Sequence, residues 1–400
     1  MKVLFITWDG PQVSYLEGLF LPIFDGLRPR GIEVAVLQFG WGAAEVVVAH
    51  RRHVCAAQGI DYRFVPIWRT LWGIGPFASA LMGAGHVRRA IRDWGIDVLM
   101  PRSLMPALIV QRLGRQRLLP VVFDADGLAA DERVDFAGLS AVSPIYRLLR
   151  DIEAQGVIGA DVTLVRTAEA AGILRDRAGP GAHRFEVVSN GRDTGQYHPQ
   201  DPARRVEVRA ELGIGAEAPL LVYCGSLGPQ YCLPQMLALF TAVLRHRPDA
   251  RLLVLTTAAA EASTAIADRD LASQAMVRTV ASDAVPRYLA AADLGLAFRR
   301  PAFSVAGIRP IKLGEYLLCG VPVAGSTAGD GAEVFAMQQG GDVGDMSEAA
   351  LEQVAAWFAR TLPQREDYRA RTRAHGIAHF SLEQSVESYA HAFEGLGRRR

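Results

Sequence analysis

The chain has 400 residues, 50% of them hydrophobic and 21% charged, with 43 Lys and Arg against 42 Asp and Glu. That length exceeds one comfortable hydrophobic core and predicts two domains, and the composition excludes a disordered chain. A net charge of +1 excludes a nucleic-acid binder that works by bulk charge.

The chain opens with an apolar run, Lys2–Thr7, that predicts a strand. It stops at a turn, Trp8-Asp9-Gly10-Pro11, and is too short for a signal peptide. A long amphipathic helix to about Leu27 and a second strand, Glu33–Phe39, complete a β-α-β unit. Further strands are expected at Asp97–Pro101, Pro120–Phe123, Val162–Val165 and Phe185–Val188. Short uniform apolar runs suit parallel strands covered on both faces. Ser189–Asp201 is rich in Gly and Asp and reads as an interdomain loop. The alternation then restarts: strand Leu220–Cys224, a Gly loop, helix Cys232–His246, strand Arg251–Thr256 and a helix near Ala260–Ala272. Strand Leu294–Phe298, helix Ile311–Cys319 and strand Val321–Ala324 follow, and two or three helices run from Glu348 to about Glu394. Two α/β domains in tandem, with a cleft between them, are expected.

Four Cys (Cys55, Cys224, Cys232, Cys319) form no C-x-x-C pair, which fits a reducing cytosol. No apolar stretch of about 18 residues predicts a spanning helix. A cytoplasmic location follows as an expectation. The cations are uneven: 41 are Arg, and only Lys2 and Lys312 are Lys. Codon bias explains most of this, but Lys312 stands where an ammonium has a use.

Lys312 and Glu315 are three apart and share a face of the helix that starts after Pro310. A helix N-terminus offers free N–H groups and a positive dipole end to phosphate. Lys312 adds a compact cation and Arg309 a forked one. Glu315, one turn deeper, is placed to accept ribose hydroxyls. The plainer alternative is an i,i+3 surface ion pair of about 0.2–0.5 kcal/mol.

The whole string RPIKLGEYLLCGVPVAG, Arg309–Gly325, resembles the donor-site motif of retaining GT-B glycosyltransferases of family 4. VVSNGRD (Val187–Asp193) with Tyr197-His198-Pro199 resembles that family's passage into its second domain. LLVYCGSLGPQY (Leu221–Tyr231) resembles its first C-domain strand and Gly loop, and YLAAADLGLAF (Tyr288–Phe298) a later strand. The resemblance implies an α/β GT-B fold of two Rossmann-like domains facing across a cleft. The expected bounds are 1–193 and 194–380, with a last helix, 381–397, packing back on the first domain. It implies that Lys312 binds the donor diphosphate and Glu315 the donor ribose. Arg309, Gly225, Ser226, Gly228 and Tyr231 would join them, with Gly10 facing the donor from the N-domain turn. The implied reaction moves a sugar from a nucleotide diphosphate-sugar to an acceptor hydroxyl with retention, without metal or cofactor. The implied acceptor is a saccharide or a lipid-linked one, in cell-surface polysaccharide or glycolipid biosynthesis, and no nucleic acid is involved. A GT-B-fold epimerase of nucleotide-sugars is the alternative from another class.

Two positions depart from the family pattern. Gly307 stands where the family often has a Glu that touches the donor sugar, and GSLGPQY lacks the family's Arg and Lys-Gly. Diphosphate charge then falls to Lys312 and Arg309, with Arg299 or Arg300 as further candidates.

VVFDADGLAADERVDF, Val121–Phe136, ends an apolar run in Asp124-x-Asp126. The pair resembles the metal motif of GT-A glycosyltransferases, where two carboxylates hold Mg²⁺ or Mn²⁺ against a diphosphate. In a family 4 reading the same carboxylates line the cleft on the acceptor side. Turn and helix-cap duty is the third reading. Gly73-Ile-Gly75-Pro-Phe-Ala78 matches G-x-G-x-x-A in form but follows no first strand and contains Pro76, so it reads as a loop and helix start. Residues 67–117 combine Trp68, Trp72, Phe77, Leu81 and Met82 with Arg88, Arg89, Arg92, Arg102, Arg112, Arg115 and Arg117. Such a stretch suits peripheral contact with an anionic membrane at its inner face, or a buried helix face backed by a solvated basic one. His375 and His379 have no acidic partner between them and make a weak zinc reading.

Overall fold

The computed structural model describes residues 1–10, 15–68, 74–114, 119–326 and 331–396. They form two compact units: Met1–Ser189 with Ala306–Ile308 and Ser385–Arg400, and Asn190–Val305 with Arg309–Gln384.

The first unit is built on parallel strands: β1 (Lys2–Asp9), β2 (Glu33–Gly40), β3 (Tyr62–Pro66), β4 (Val98–Pro101), β5 (Val122–Asp124), β6 (Val162–Val165) and β7 (Arg184–Val187). Their order is β3-β2-β1-β4, then β5-β6-β7, and the bridges Leu99–Val121 and Arg102–Asp124 join the two sets. Val3 registers with Val34 on one side and Val98 on the other. Side chains alternate across the sheet. Leu4, Ile6, Ala35 and Leu37 therefore share a core with Ala80 and Val87 of the helix Ile74–Trp94. On the opposite face, Phe5 meets Phe20 and Phe24, at ring centroid distances of 4.6 and 5.2 Å. The C-terminal helix Leu382–Phe393 contributes Tyr389, which is fully buried, and Val386, which sits against Gly26. Ser385 Oγ donates to the Ser189 carbonyl at 2.9 Å.

The second unit has β8 (Leu220–Cys224), β9 (Arg251–Leu255), β10 (Ala275–Arg278), β11 (Leu294–Ala297) and β12 (Val323–Gly325), all parallel, in the order β10-β9-β8-β11-β12. Asp293 fixes the starts of two central strands. Its carboxylate accepts from the Leu220 N–H at 2.9 Å and pairs with Arg205 and Arg209. The helix Ile311–Leu318 crosses between β11 and β12 and buries Leu313, Tyr316 and Leu317. Gly295 leaves the space that the Tyr316 ring fills, since a Cβ there would lie 2.6 Å from the ring. The Tyr316 hydroxyl accepts from the Cys224 N–H at 2.9 Å and donates to the Leu296 carbonyl at 3.3 Å. One side chain thus ties the helix to β8 and β11.

In each unit the strand order reverses beside the first strand, at β1/β4 and at β8/β11. In doubly wound sheets, ligands bind outside the carboxyl ends of the strands at such a point. The edge strands β3 and β10 were not expected from sequence. YRFVP and AMVR carry an Arg each and are only partly buried, so neither reads as a uniform apolar run. The last strand begins at Val323, two residues later than expected.

Candidate functional site

In the second unit, Lys312 lies in the first turn of its helix and reaches the carboxyl end of β8. Its Nζ donates to the Tyr223 hydroxyl at 2.9 Å and sits 4.4 and 4.3 Å from the ring centroids of Tyr223 and Tyr231. Gly225 makes this possible. A Cβ there would lie 2.2 Å from both Cε and Nζ of Lys312, and its φ of +143° is one that side chains rarely adopt. Burial pushes the Lys312 ammonium down to about 8, with Arg299 adding to the shift while Cys224 and Glu315 oppose it. Burial likewise raises the Cys224 thiol to about 12 and raises the Tyr223 hydroxyl.

Glu315 shares the helix face with Lys312 but does not pair with it. Its Oε1 accepts from Arg192 Nε at 2.9 Å and from the Tyr197 hydroxyl at 3.2 Å. The surface ion pair therefore does not form. Burial, then the Glu315 charge, raises the Tyr197 hydroxyl. Two donors thus orient the Glu315 carboxylate, one turn into the helix from Lys312. Ser226 offers its carbonyl to the Tyr223 hydroxyl. The Tyr231 N–H donates to the Gly228 carbonyl at 3.0 Å and closes the loop. Arg309 turns elsewhere: it donates to the His379 carbonyl at 3.2 Å and lies 4.7 Å from the Phe380 ring. The structure thus gathers Lys312, Gly225, Ser226, Tyr231 and Glu315 around one helix start, with Arg309 against the end of the helix Arg365–Phe380. Sequence reasoning gave no role to Arg192 or Tyr223. Their signals were slight: an Arg inside the Asn-Gly-x-Asp turn, and a polar aromatic at the end of a buried strand.

In the first unit, Gly10 follows β1, and a Cβ on it would meet Trp41 at 3.0 Å. Pro11 lies outside the described residues. Asp124 ends β5 and is 0% exposed. Arg166 Nη2 lies 2.9 Å from its Oδ1, and Arg102 Nε lies 3.7 Å from its Oδ2. Asp126 adopts φ +62°, which Asp tolerates, and pairs with Arg102 and, at 3.4 Å, with Arg166. Burial raises the Asp124 carboxyl, against the pull of Arg166. Two carboxylates facing two guanidiniums carry no net negative charge, so these residues do not fit a divalent cation. The GT-A-type metal reading fails on that ground. Asp124 also has no surface to offer an acceptor, and its physical part is to hold Arg166. Replacing Asp124 by Ala is expected to destabilise this unit by about 3–5 kcal/mol, because Arg166 would be left buried with only the longer Asp126 contact. Thermal unfolding measures it; an unchanged melting temperature contradicts this account. Gly307 counts with this unit, and a Cβ on it would meet the Leu128 nitrogen at 2.9 Å and the Gly127 Cα at 3.0 Å. A Glu cannot occupy that place in this conformation.

The helix Ile74–Trp94 buries Ala80, Ala84, Val87 and Ala90 and exposes Leu81, Met82, Arg88, Arg89 and Arg92. Arg102, expected to belong to this basic surface, is instead buried beside Asp124. Trp72, Arg115 and Arg117 lie outside the described residues. Among the described residues, no helix is long and apolar enough to cross a membrane, and no cluster of His, Cys, Asp or Glu could hold a metal.

No family model matches the chain. It is 30% identical over 305 residues to the D-inositol 3-phosphate glycosyltransferase of Segniliparus rotundus, over 72% of this chain and 64% of that one. It is 27% identical over 244 residues to the GDP-mannose-dependent monoacylated alpha-(1-6)-phosphatidylinositol monomannoside mannosyltransferase of Corynebacterium glutamicum, over 58% and 60%. The chain thus spans less than two thirds of the length of these relatives. Among solved structures, Anabaena Alr3699/HepE in complex with UDP-glucose superposes with a TM-score of 0.73 at 15% identity, covering 99% of this chain and 100% of that one. WaaG, a glycosyltransferase involved in lipopolysaccharide biosynthesis, gives 0.68 at 18%, covering 98% and 100%. These neighbours have the GT-B fold, and the likeness shows it for this chain: two Rossmann-like domains in tandem.

Proposed function

We propose that the chain is a glycosyltransferase that moves a sugar from a nucleoside diphosphate-sugar to an acceptor hydroxyl, with retention, in the manner of GT-B family 4. One observation carries the reading. Lys312 and Glu315 stand on one helix face at the strand-order reversal of the second sheet, with Gly225 opening the backbone beside the ammonium. When the glycosidic bond breaks, charge develops on the leaving diphosphate. A half-buried ammonium and a helix N-terminus stabilise it there. Glu315, oriented by Arg192 and Tyr197, accepts ribose hydroxyls of the donor. No protein nucleophile is assigned, since attack guided by the leaving phosphate needs none. The similarity to a GDP-mannose-dependent mannosyltransferase and to a protein that binds UDP-glucose supports a nucleotide-sugar donor, and the lipid-directed and lipopolysaccharide enzymes among these relatives and neighbours favour a lipid-linked or saccharide acceptor at the cell envelope.

The test is release of nucleoside diphosphate from UDP-, GDP-, ADP- and TDP-sugars without acceptor. Release by one donor class is expected. Conversion of the sugar without release identifies an epimerase, and neither outcome leaves only a binder. EDTA is expected to leave the rate unchanged. Loss of activity that Mn²⁺ restores would overturn the metal-independent reading.

A second proposal concerns the first unit. Exposed Trp68, Leu81 and Met82 beside exposed Arg88, Arg89 and Arg92 suit the surface of an anionic bilayer. Co-flotation with anionic vesicles at low salt, lost at high salt, is the expected result. Failure to float at low salt removes this proposal.

A further inference from the structure

The Gly loop of the second unit, Gly225–Tyr231, contains no cation, and Arg309 is turned to His379 and Phe380. A diphosphate carries more negative charge than one ammonium balances. The second cation must come from another element. Arg299 follows β11, the strand that neighbours β8 at the order reversal. Its backbone is pinned on both sides: its N–H donates to Ser326 Oγ at 3.1 Å, and its carbonyl accepts from the same hydroxyl at 3.0 Å. Its guanidinium carbon lies 4.8 Å from the centroid of the Tyr231 ring, whose centroid is also 4.3 Å from Lys312 Nζ. Among the described residues, neither cation has a carboxylate within salt-bridge reach. The two like charges repel: burial depresses the Lys312 ammonium most, and Arg299 adds to that depression. Such a pair, held by the fold beside one ring, is relieved when an anion arrives near the two cations. Arg300, the next residue, is exposed, and its N–H is tied to the Gln230 carbonyl.

We propose that Arg299 is a second diphosphate-binding residue, acting with Lys312 beside the ring of Tyr231. The assignment rests on the donor reading of this site. It means that the phosphate-binding charge absent from the Gly loop is supplied from the end of β11. Arg299 then contacts the phosphates and leaves the base and sugar to other groups.

Calorimetry with the full chain and three probes, inorganic pyrophosphate, UDP and GDP, tests it. Arg299→Gln is expected to weaken binding of pyrophosphate and of whichever nucleotide binds by about ten- to hundredfold. The salt dependence of binding should also become shallower. Arg299→Lys should restore most of the loss, and Arg204→Gln, which removes an exposed charge elsewhere on the unit, should bind as wild type. Circular dichroism melting checks that each variant folds. Binding by Arg299→Gln within about twofold of wild type, with Lys312→Gln impaired, would overturn the Arg299 assignment and leave the donor reading standing. Absence of binding by the wild-type protein to all three probes would overturn the donor reading and the assignment with it.

Discussion

Lys312→Ala is expected to lower sugar transfer by at least about 10²–10³-fold, the usual loss when one donor to a developing anion is removed. The melting temperature should stay level or rise. The ammonium is half-buried and has no carboxylate partner among the described residues, so its desolvation opposes folding. Its removal orphans no acid, because Glu315 is held by Arg192 and Tyr197. Transfer at the wild-type rate would sink the donor-site assignment. The same group sets a pH dependence. Its folded value, about 8, lies below the unfolded 10.5. The folded state therefore binds fewer protons between pH 8 and 10.5, and stability gains from this group as pH rises through that window. Ligand binding runs the other way. Diphosphate binds the charged form, so affinity is full below pH 8 and falls above it. Calorimetry with UDP and GDP at pH 7 and pH 9 measures the loss, and equal affinity at both contradicts the assignment.

Gly225→Ala is expected to match Lys312→Ala in activity and to be less stable as well. The new Cβ would lie 2.2 Å from Cε and Nζ of Lys312, on a residue whose φ of +143° already disfavours a side chain. The lysine must leave Tyr223, and the residual backbone strain is about 1–3 kcal/mol. The double variant Gly225→Ala/Lys312→Ala separates the two effects. It removes the clash and keeps the strain, so it should be more stable than Gly225→Ala alone. Strict additivity of the two changes would show that the contact does not matter.

Much of the donor site was legible in the chain itself. Residues three apart on a helix share a face, so Lys312 and Glu315 could be placed together without coordinates. A Gly loop after an apolar strand could be placed at a sheet end. What each residue touches was not legible. An ion pair of Glu315 with Lys312 was the plainer alternative on spacing, yet Arg192, 123 residues earlier, takes the carboxylate. Arg309 looked like a phosphate ligand beside Lys312, yet it faces Phe380. The local spacing of Asp124 and Asp126 left metal, cleft and turn readings open, whereas the guanidiniums that neutralise them come from the ends of β4 and β6.

The sequence alone determined the alternation of strands and helices, the restart into a second domain and the helix that carries Lys312 and Glu315. These depend on apolar periodicity and on spacings of a few residues, which a chain displays along its own length. The tertiary structure alone decided that Tyr223 and Tyr231 cage Lys312, that Arg299 stands beside the Tyr231 ring, and that Gly225 leaves the space for Lys312. Those meetings depend on strand order and register. β8 and β11 are neighbours only because 3-2-1-4-5 winding brings their ends together, and side chains at two strand ends meet only once that winding is set.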